Sequence, residues 1–261
     1  MLLELAPQLM EIARAAGAAI MAVPQATTGV THKTDHSPLT EADTAAHHCI
    51  ASRLAALTPG IPVVSEEYES SWTYRQPLGM HWLLDPLDGT KEFLAGSSEF
   101  TVNIALIRDS APVLGVVFAP DLDLMYWGGP ELGAFRISLN GKVSSTIRVT
   151  PHGSRGPICR VVASKSHLDE ETCHFIQHLG LIELMQVGSS LKFCRLAEGA
   201  ADIYPRLGPT CEWDTAAAQA VLEGAGGVVV DLNGTHLRYG KTDIHNPPFV
   251  AASSLCAVPY A

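Results

Sequence analysis

Residues 85–90 are Asp85-Pro86-Leu87-Asp88-Gly89-Thr90, and this stretch decides how the rest of the chain is interpreted. Proline biases the residue before it towards an extended backbone, and Gly89 permits the tight turn that follows. Such a turn can direct two carboxylates at one point. Carboxylates and a backbone carbonyl, here that of Leu87, are the oxygen ligands that Mg²⁺ prefers. The stretch alone leaves an acidic surface turn open as the other interpretation.

Two helices and two strands are predicted before this turn. Apolar residues recur at helical spacing near the start of the chain, and Thr40 and Asp43 have the spacing of a capping box. Acidic residues lie at the ends of both strands, so the acidic side chains are expected at one edge of a sheet. The predicted elements are helices over 2–20 and 40–57 and strands over 61–64 and 81–85.

An α+β fold in two parts is predicted from the remaining pattern. Residues 101–135 are rich in β-branched and aromatic types between turn signals, which indicates an antiparallel meander. Beyond Pro151 strands alternate with helices, which indicates a βαβ-like arrangement. We expect an N-terminal α+β half that binds metal (1–150), sharing an interface with a C-terminal α/β half that completes the site (151–261). The stretch 133–156 is expected to be a connection outside the site. The later strands are predicted over 160–163, 184–187, 202–204, 227–231 and 249–252, and the later helices over 169–179, 190–198 and 214–223.

Composition limits the classes of function. The formal net charge of −10 makes a nucleic-acid polymer an unfavourable partner. Six cysteines without a C-x-x-C pair are typical of reduced thiols in a cytoplasmic protein. No apolar run is long enough to span a bilayer, so no transmembrane segment is expected. Peripheral attachment to the inner face of the cell membrane and the oligomeric state are left open.

Further candidate residues lie far from the turn. Glu66 and Glu67 repel each other unless a cation or proton intervenes, although a solvated acidic pair is the common alternative. Asp214 follows Trp213 at the start of a predicted helix, where an ordinary N-cap is the alternative role. The small-residue turn at 188–192 presents backbone N–H groups suited to an anion, and Lys192 adds a positive charge. Serine capping accounts for that turn equally well.

Three acidic motifs in order, Ser65-Glu66-Glu67, residues 85–90 and Trp213-Asp214, resemble the signature of the lithium-sensitive, magnesium-dependent phosphatases related to inositol monophosphatase. Within that superfamily, residues 90–93, 188–194 and 204–210 are similar to those of the CysQ-type 3'(2'),5'-bisphosphate nucleotidases. The resemblance implies a five-layer αβαβα sandwich. It also implies hydrolysis of the 3'-phosphate of 3'-phosphoadenosine 5'-phosphate to AMP and phosphate by metal-activated water, which clears a by-product of sulfate assimilation.

The same resemblance assigns roles to individual residues, with a small nucleotide bisphosphate as the partner. The catalytic residues it implies are Glu66, Thr90 and Asp43. Two or three Mg²⁺ ions would be held by Glu66, Glu67, Asp85, the carbonyl of Leu87, Asp88 and Asp214. The substrate would contact Glu66, Leu87, Asp88, Gly89, Thr90, Gly188, Ser189, Ser190, Lys192, Tyr204, Arg206 and Asp214.

Three other functions compete with this one. An inositol monophosphatase or a sugar bisphosphatase shares all three acidic motifs, but Lys91-Glu92-Phe93 and residues 204–210 favour a nucleotide. A phosphatase that forms an aspartyl-phosphate needs an aspartate where Pro86 stands. A sensor that binds metal or nucleotide without catalysis is disfavoured because the acidic set looks complete.

Overall fold

Two β-sheets of seven and five strands alternate with layers of helix in the computed structural model, and a third sheet has only two strands. The structure describes residues 2–24, 31–32, 38–138, 143–151, 153–154 and 156–258. The helices are α1 (Leu2–Met21), α2 (Glu41–Leu57), α3 (Thr90–Leu94), α4 (Glu170–Gln177), α5 (Leu191–Ala197) and α6 (Glu212–Gly224). The strands are β1 (Thr31–His32), β2 (Pro38–Leu39), β3 (Val63–Ser65), β4 (Met80–Asp88), β5 (Thr101–Arg108), β6 (Ala111–Ala119), β7 (Leu124–Gly129), β8 (Gly133–Ser138), β9 (Val143–Ile147), β10 (Cys159–Ser164), β11 (Ile182–Val187), β12 (Ile203–Arg206), β13 (Val228–Asp231) and β14 (Phe249–Ala252). Short 3-10 helices occupy Glu69–Tyr74 and Leu255–Ala257.

The elements stack in five layers. Helices α1 and α2 cover one face of a seven-stranded sheet, and α5 and α6 fill the space between it and a five-stranded sheet. Helix α4 packs against β12, and its Ile176 joins an apolar cluster on the outer face of the smaller sheet. A second apolar cluster lies between the larger sheet and helices α1 and α2, and a third lies between the two sheets around α5 and α6. The predicted α+β class and the αβαβα sandwich are confirmed.

The larger sheet brings the first two acidic motifs together. Its strand order is β3-β4-β5-β6-β7-β8-β9, and all neighbours are antiparallel except β3 and β4. Because β3 and β4 are parallel, with Ser65 paired to Leu84, Glu66 leaves β3 next to Asp85. The meander predicted over 101–135 is confirmed as β5 to β8.

The smaller sheet has the order β11-β10-β12-β14-β13. Strand β10 is parallel to β11 and β12, which confirms the predicted βαβ-like start of this half. Strand β14 is antiparallel to both of its neighbours. The two sheets draw their strands from 63–147 and 159–252, while the division into two domains at residue 150 stays a prediction.

Helix α2 begins and ends where the sequence predicts. Thr40 Oγ1 accepts the backbone N–H of Ala42 at 3.1 Å, and the backbone N–H of Thr40 donates to Asp43 Oδ2 at 2.8 Å. This capping box satisfies N–H groups that the first turn of a helix otherwise leaves unpaired. The helix ends at Leu57. Asp43 is thereby held at a fixed point beside the larger sheet.

Helix α6 lies unusually close to the larger sheet because Gly115 of β6 has no side chain. A Cβ atom at this position would lie 2.1 Å from the carbonyl oxygen of Ala217, which is closer than any real contact allows. The first turn of α6 carries Asp214. The depth at which this helix packs therefore sets the distance between Asp214 and the strands.

Two predictions about the elements are corrected, and one helix was missed. Strand β4 continues through Asp88 instead of ending at Asp85, and its pairing with β5 is irregular between those two residues. The described part of 133–156 is more than a connection, because β8 and β9 extend the edge of the larger sheet. Helix α3 directly follows the acidic turn and was not predicted, since five residues carry no helical periodicity.

Candidate active site

Three carboxylates from distant parts of the chain meet at one point. Glu66 follows β3, Asp85 lies in β4 and Asp214 lies in the first turn of α6. One oxygen atom from each lies within 4.8 Å of those of the other two. Asp85 is only 2% exposed, which excludes an acidic surface turn. These three residues are called the acidic triad below.

Asp88 lies in the same cavity and is fixed by the second half of the chain. The backbone N–H of Ser190 donates to Asp88 Oδ2 at 2.6 Å, and Ser190 Oγ lies 2.8 Å from the same oxygen. Asn103 Nδ2 donates to it at 3.3 Å. Ser190 Oγ also lies 2.9 Å from the carbonyl oxygen of Asp214. The serine makes no capping bond to α5, so its side chain orients Asp88 instead.

Asp214 combines a structural and an electrostatic role. Cys211 occupies the N-cap of α6, so the N-cap assignment for Asp214 is wrong, but Asp214 Oδ2 accepts the N–H of Cys211 at 2.8 Å. Burial, followed by repulsion from Glu66 and Asp88, raises the pKa of Asp214 to about 8. A divalent cation among these carboxylates would offset the repulsion.

The hydroxyl of Thr90 links the acidic turn to helix α2. Thr90 Oγ1 donates to Asp43 Oδ1 at 3.0 Å and lies 3.3 Å from the carbonyl oxygen of Leu87. Asp43 is fully buried, and its second oxygen accepts the hydroxyl of Thr40 at 2.6 Å. Gly89 makes the turn with a φ of +93°. Asp43 therefore influences the cavity through Thr90 rather than by direct exposure to it.

Lys192 is a buried cation in the wall of the cavity. Its Nζ donates to the carbonyl oxygen of Ser189 at 2.6 Å and lies 5.5 Å from the centre of the Tyr204 ring. Burial lowers the pKa of Lys192 to about 8, although the nearby Asp88 opposes that change. Ser189 has a φ of +49°, an uncommon conformation for a residue other than glycine.

Other basic side chains line the same cavity. Arg206 donates from Nη1 to the carbonyl of His167 at 2.8 Å and from Nη2 to that of Pro209 at 2.9 Å. Lys91 Nζ lies 3.0 Å from His167 Nε2. Lys91, His167, Lys192 and Arg206 are called the basic wall below. Sequence reasoning identified Lys192 and Arg206 and missed His167, because a histidine in the loop after β10 belongs to no pattern.

The cavity has a volume of about 1000 Å³ and draws its lining from both sheets. Three predicted site residues do not line it: Asp43, Glu67 and Gly188. The N–H of Gly188 donates to Glu99 Oε2 at 3.2 Å, and that of Ser190 is bonded to Asp88, so neither is the open anion donor that was expected. The predicted site residues that line the cavity are Glu66, Asp85, Leu87, Asp88, Gly89, Thr90, Ser189, Ser190, Lys192, Tyr204, Arg206 and Asp214.

The comparisons with known proteins agree with this architecture. The model of the inositol monophosphatase family matches residues 1–258, and the protein belongs to that family. More narrowly, the chain is 46% identical over 245 residues to a curated relative from Escherichia coli K12, "3'(2'),5'-bisphosphate nucleotidase CysQ", which covers 93% of this chain and 97% of the relative. A CysQ relative from Buchnera aphidicola is 38% identical over 89% of this chain and 86% of its own. The resemblance found in the sequence is confirmed.

Solved structures extend the comparison. The crystal structure of CysQ from Bacteroides thetaiotaomicron has a TM-score of 0.80 and 37% identity, covering 93% of this chain and 94% of that one. The Thermotoga maritima IMPase has a TM-score of 0.76 at 23% identity, covering 96% and 92%, and so shares the fold. None of the helices within the described ranges combines the length and the apolar character that a membrane crossing needs.

Proposed function

We propose that the protein is a magnesium-dependent 3'(2'),5'-bisphosphate nucleotidase that converts 3'-phosphoadenosine 5'-phosphate to AMP and phosphate. The observation that carries the proposal is one cavity in which an acidic triad and a basic wall occur together. Relatives at 46% identity bear that enzyme name. Clearance of a by-product of sulfate assimilation follows as the role, and a cytoplasmic location is consistent with six cysteines that form no disulfide. Peripheral membrane attachment stays a prediction.

The donor set fits Mg²⁺. The acidic triad supplies oxygen atoms only, which is what a hard divalent cation takes, and it places negative charges close enough to need a counter-charge. Bound Mg²⁺ would supply positive charge that lowers the pKa of the attacking water and offsets the charge on the phosphoryl oxygens. We assign two or three ions to Glu66, Asp85, the carbonyl of Leu87, Asp88 and Asp214, and we assign Glu67, which does not line the cavity, to holding a further ion or its waters.

Thr90, Asp43 and Glu66 act on the attacking water: the first two orient it and the third accepts its proton. Because Thr90 Oγ1 donates its own proton to Asp43, its oxygen can accept a hydrogen bond from the attacking water and orient it. The carboxylate of Glu66 takes the proton that the water loses. The water oxygen then bonds to phosphorus as the bond to the ribose 3'-oxygen breaks, and that oxygen gains a proton from solvent. No residue of the chain becomes phosphorylated.

The basic wall supplies recognition of the second phosphate. Lys192 and Arg206 are held by backbone carbonyls, so they present charge without needing to move. Tyr204 adds an aromatic surface beside Lys192. Gly188, Ser189 and Ser190 shape the loop that carries Lys192, while the amides of Gly89 and Thr90 contact the phosphate that is removed. The wall favours a substrate with two phosphates over inositol monophosphate.

A phosphate-release panel tests the proposal. The purified protein is assayed with Mg²⁺ on 3'-phosphoadenosine 5'-phosphate, inositol monophosphate, fructose 1,6-bisphosphate and AMP. We expect much faster turnover of the first compound, no release from AMP, and inhibition by lithium. Equal or better turnover of inositol monophosphate or the sugar bisphosphate would replace the substrate assignment. Tight nucleotide binding without any release would indicate the sensor.

A further inference from the structure

The acidic triad depends on two segments that no strand pairing joins. Glu66 lies in the loop after β3, and Asp214 lies in the first turn of α6. We propose that Trp72 and Arg75 are positioning residues that hold these two segments at the separation a divalent cation requires. This inference rests on the proposed function, because the cation in question is the one that the hydrolysis uses.

Trp72 forms the first connection. Its indole Nε1 donates to the carbonyl oxygen of Ser65 at 2.8 Å, immediately before Glu66. Its ring packs on Trp213, immediately before Asp214, with ring centroids 5.0 Å apart and planes at 37°. One side chain therefore contacts both neighbours of the two carboxylates. A shift of either segment would disturb the hydrogen bond or the ring contact.

Arg75 forms the second connection, at the end of the same 3-10 helix. Its Nη1 lies 3.4 Å from Oε2 of Glu212, whose side chain is completely buried at the start of α6. Arg75 Nη1 also donates to the carbonyl of Lys241 at 3.2 Å, and Nε donates to that of Trp72 at 3.2 Å. The guanidinium thus ties the 3-10 helix to α6 and to the loop at residue 241.

Three donors besides Arg75 hold the carboxylate of Glu212, so the contact between Arg75 and α6 is rigid. Lys241 Nζ donates to Oε1 at 2.7 Å, and the backbone N–H groups of Gly240 and Lys241 donate at 3.1 and 3.0 Å. A buried carboxylate with four donors tolerates little displacement, since each lost partner leaves charge uncompensated. The remaining three donors should keep Glu212 in place, and the chain folded, when Arg75 is replaced.

The physical role is preorganisation. Carboxylates on separate segments bind a cation tightly only if the fold has already brought them together. Otherwise the segments must be ordered during binding, and the free-energy cost of that ordering lowers the affinity. Residues that orient metal ligands from behind typically change metal affinity about 10- to 100-fold when they are altered. Positioning by Trp72 and Arg75 should therefore appear in metal affinity, independently of any substrate.

The test measures Mn²⁺ binding without substrate, by the loss of the free-ion electron paramagnetic resonance signal. Arg75→Met should weaken Mn²⁺ binding about tenfold. Trp72→Phe keeps a ring but loses the indole N–H, so it should weaken Mn²⁺ binding by a smaller factor. Arg75→Lys should recover part of the loss. The matched control is Arg108→Met, which removes an exposed pair at 3.2 Å between the end of β5 and Glu131 in the turn after β7 and should bind Mn²⁺ normally.

The outcomes separate this inference from the proposed function. Weaker Mn²⁺ binding in both variants, with far-UV circular dichroism unchanged, supports positioning whichever phosphate ester the wild-type protein hydrolyses. If both variants unfold at lower temperature yet bind Mn²⁺ as the wild type does, the two residues are ordinary packing contacts and the inference is overturned. Failure of the wild type to hydrolyse any nucleotide would contradict the proposed function alone.

Discussion

The acidic triad and the basic wall line one cavity, yet they are stabilised in opposite ways. The triad brings negative charges together from three elements, and the raised pKa of Asp214 reflects their burial and mutual repulsion. The cations Lys192 and Arg206 each donate to backbone carbonyls, although the buried Nε of Arg206 has no partner among the described residues. The triad thus needs a cation to offset its charge, whereas backbone carbonyls already fix the positions of the two cations in the wall. We expect the triad to control the rate of hydrolysis and the wall to control the choice of substrate.

The largest effect should come from Asp85→Asn. The change keeps the shape and the acceptor for the N–H of Leu87, which donates to Asp85 Oδ1 at 3.1 Å, but removes the charge. Loss of cation charge at the reacting phosphate should lower kcat about a thousandfold or more. Steady-state phosphate release measures it, with circular dichroism to verify the fold. Near-normal kcat would mean that the triad does not control the rate.

Replacement of Lys192 by methionine should change substrate affinity, which the wall controls, without changing the rate that the triad controls. Methionine preserves the buried stem, while the loss of one charged contact should raise KM for 3'-phosphoadenosine 5'-phosphate about 10- to 100-fold. Turnover of a nucleoside 3'-monophosphate should change only slightly, since it lacks the second phosphate. Lys165→Met, which removes an exposed lysine paired with Glu99, is the control. Equal losses on both substrates would contradict a separate role for the wall.

The pH dependence of KM sharpens the same distinction. Because burial lowers the pKa of Lys192 to about 8, its charge should be lost above that pH and KM for the bisphosphate should rise. Between about pH 8 and the pKa of an unfolded lysine, the unfolded chain binds more protons, so the contribution of this residue to stability increases as affinity falls. KM measured from pH 6.5 to 9.5 should show the inflection in the wild type and lack it in Lys192→Met.

The smallest effect concerns the stability of the metal-free protein. The burial and repulsion that raise the pKa of Asp214 cost stability above the pKa of an unfolded aspartate, and Asp214→Asn removes this cost while keeping an acceptor for the N–H of Cys211. The melting temperature in a chelator should therefore rise by about 2–4 °C, while Mg²⁺ no longer raises it as much as in the wild type. Differential scanning calorimetry with and without Mg²⁺ measures both. A lower melting temperature in the chelator would mean that repulsion among the carboxylates does not destabilise the metal-free protein.

Local signals explain what the sequence predicts correctly. The capping box of Thr40 and Asp43 fixes a helix start from four residues, and the proline and glycine around Asp88 restrict the backbone of the acidic turn. The order of the acidic motifs then indicates the family. These features need no knowledge of distant contacts.

What the sequence misses depends on partners far along the chain. The N–H groups at 188–192 look like an anion site until Glu99 and Asp88 are seen to accept two of them. His167 enters the basic wall through Lys91 and Arg206, which periodicity does not connect. The strands β8 and β9 continue a sheet whose extent is set by pairing rather than by composition.

The bond between Ser190 and Asp88 means that the acidic side of the cavity is built by both halves of the chain. A nascent chain that has emerged only as far as the larger sheet contains Glu66, Asp85 and Asp88 but neither the serine that orients Asp88 nor the helix that carries Asp214. Such a fragment has acidic side chains without a hydrolytic centre. Asp214 reaches the other carboxylates only when α6 packs on the larger sheet, so the triad requires both halves of the chain.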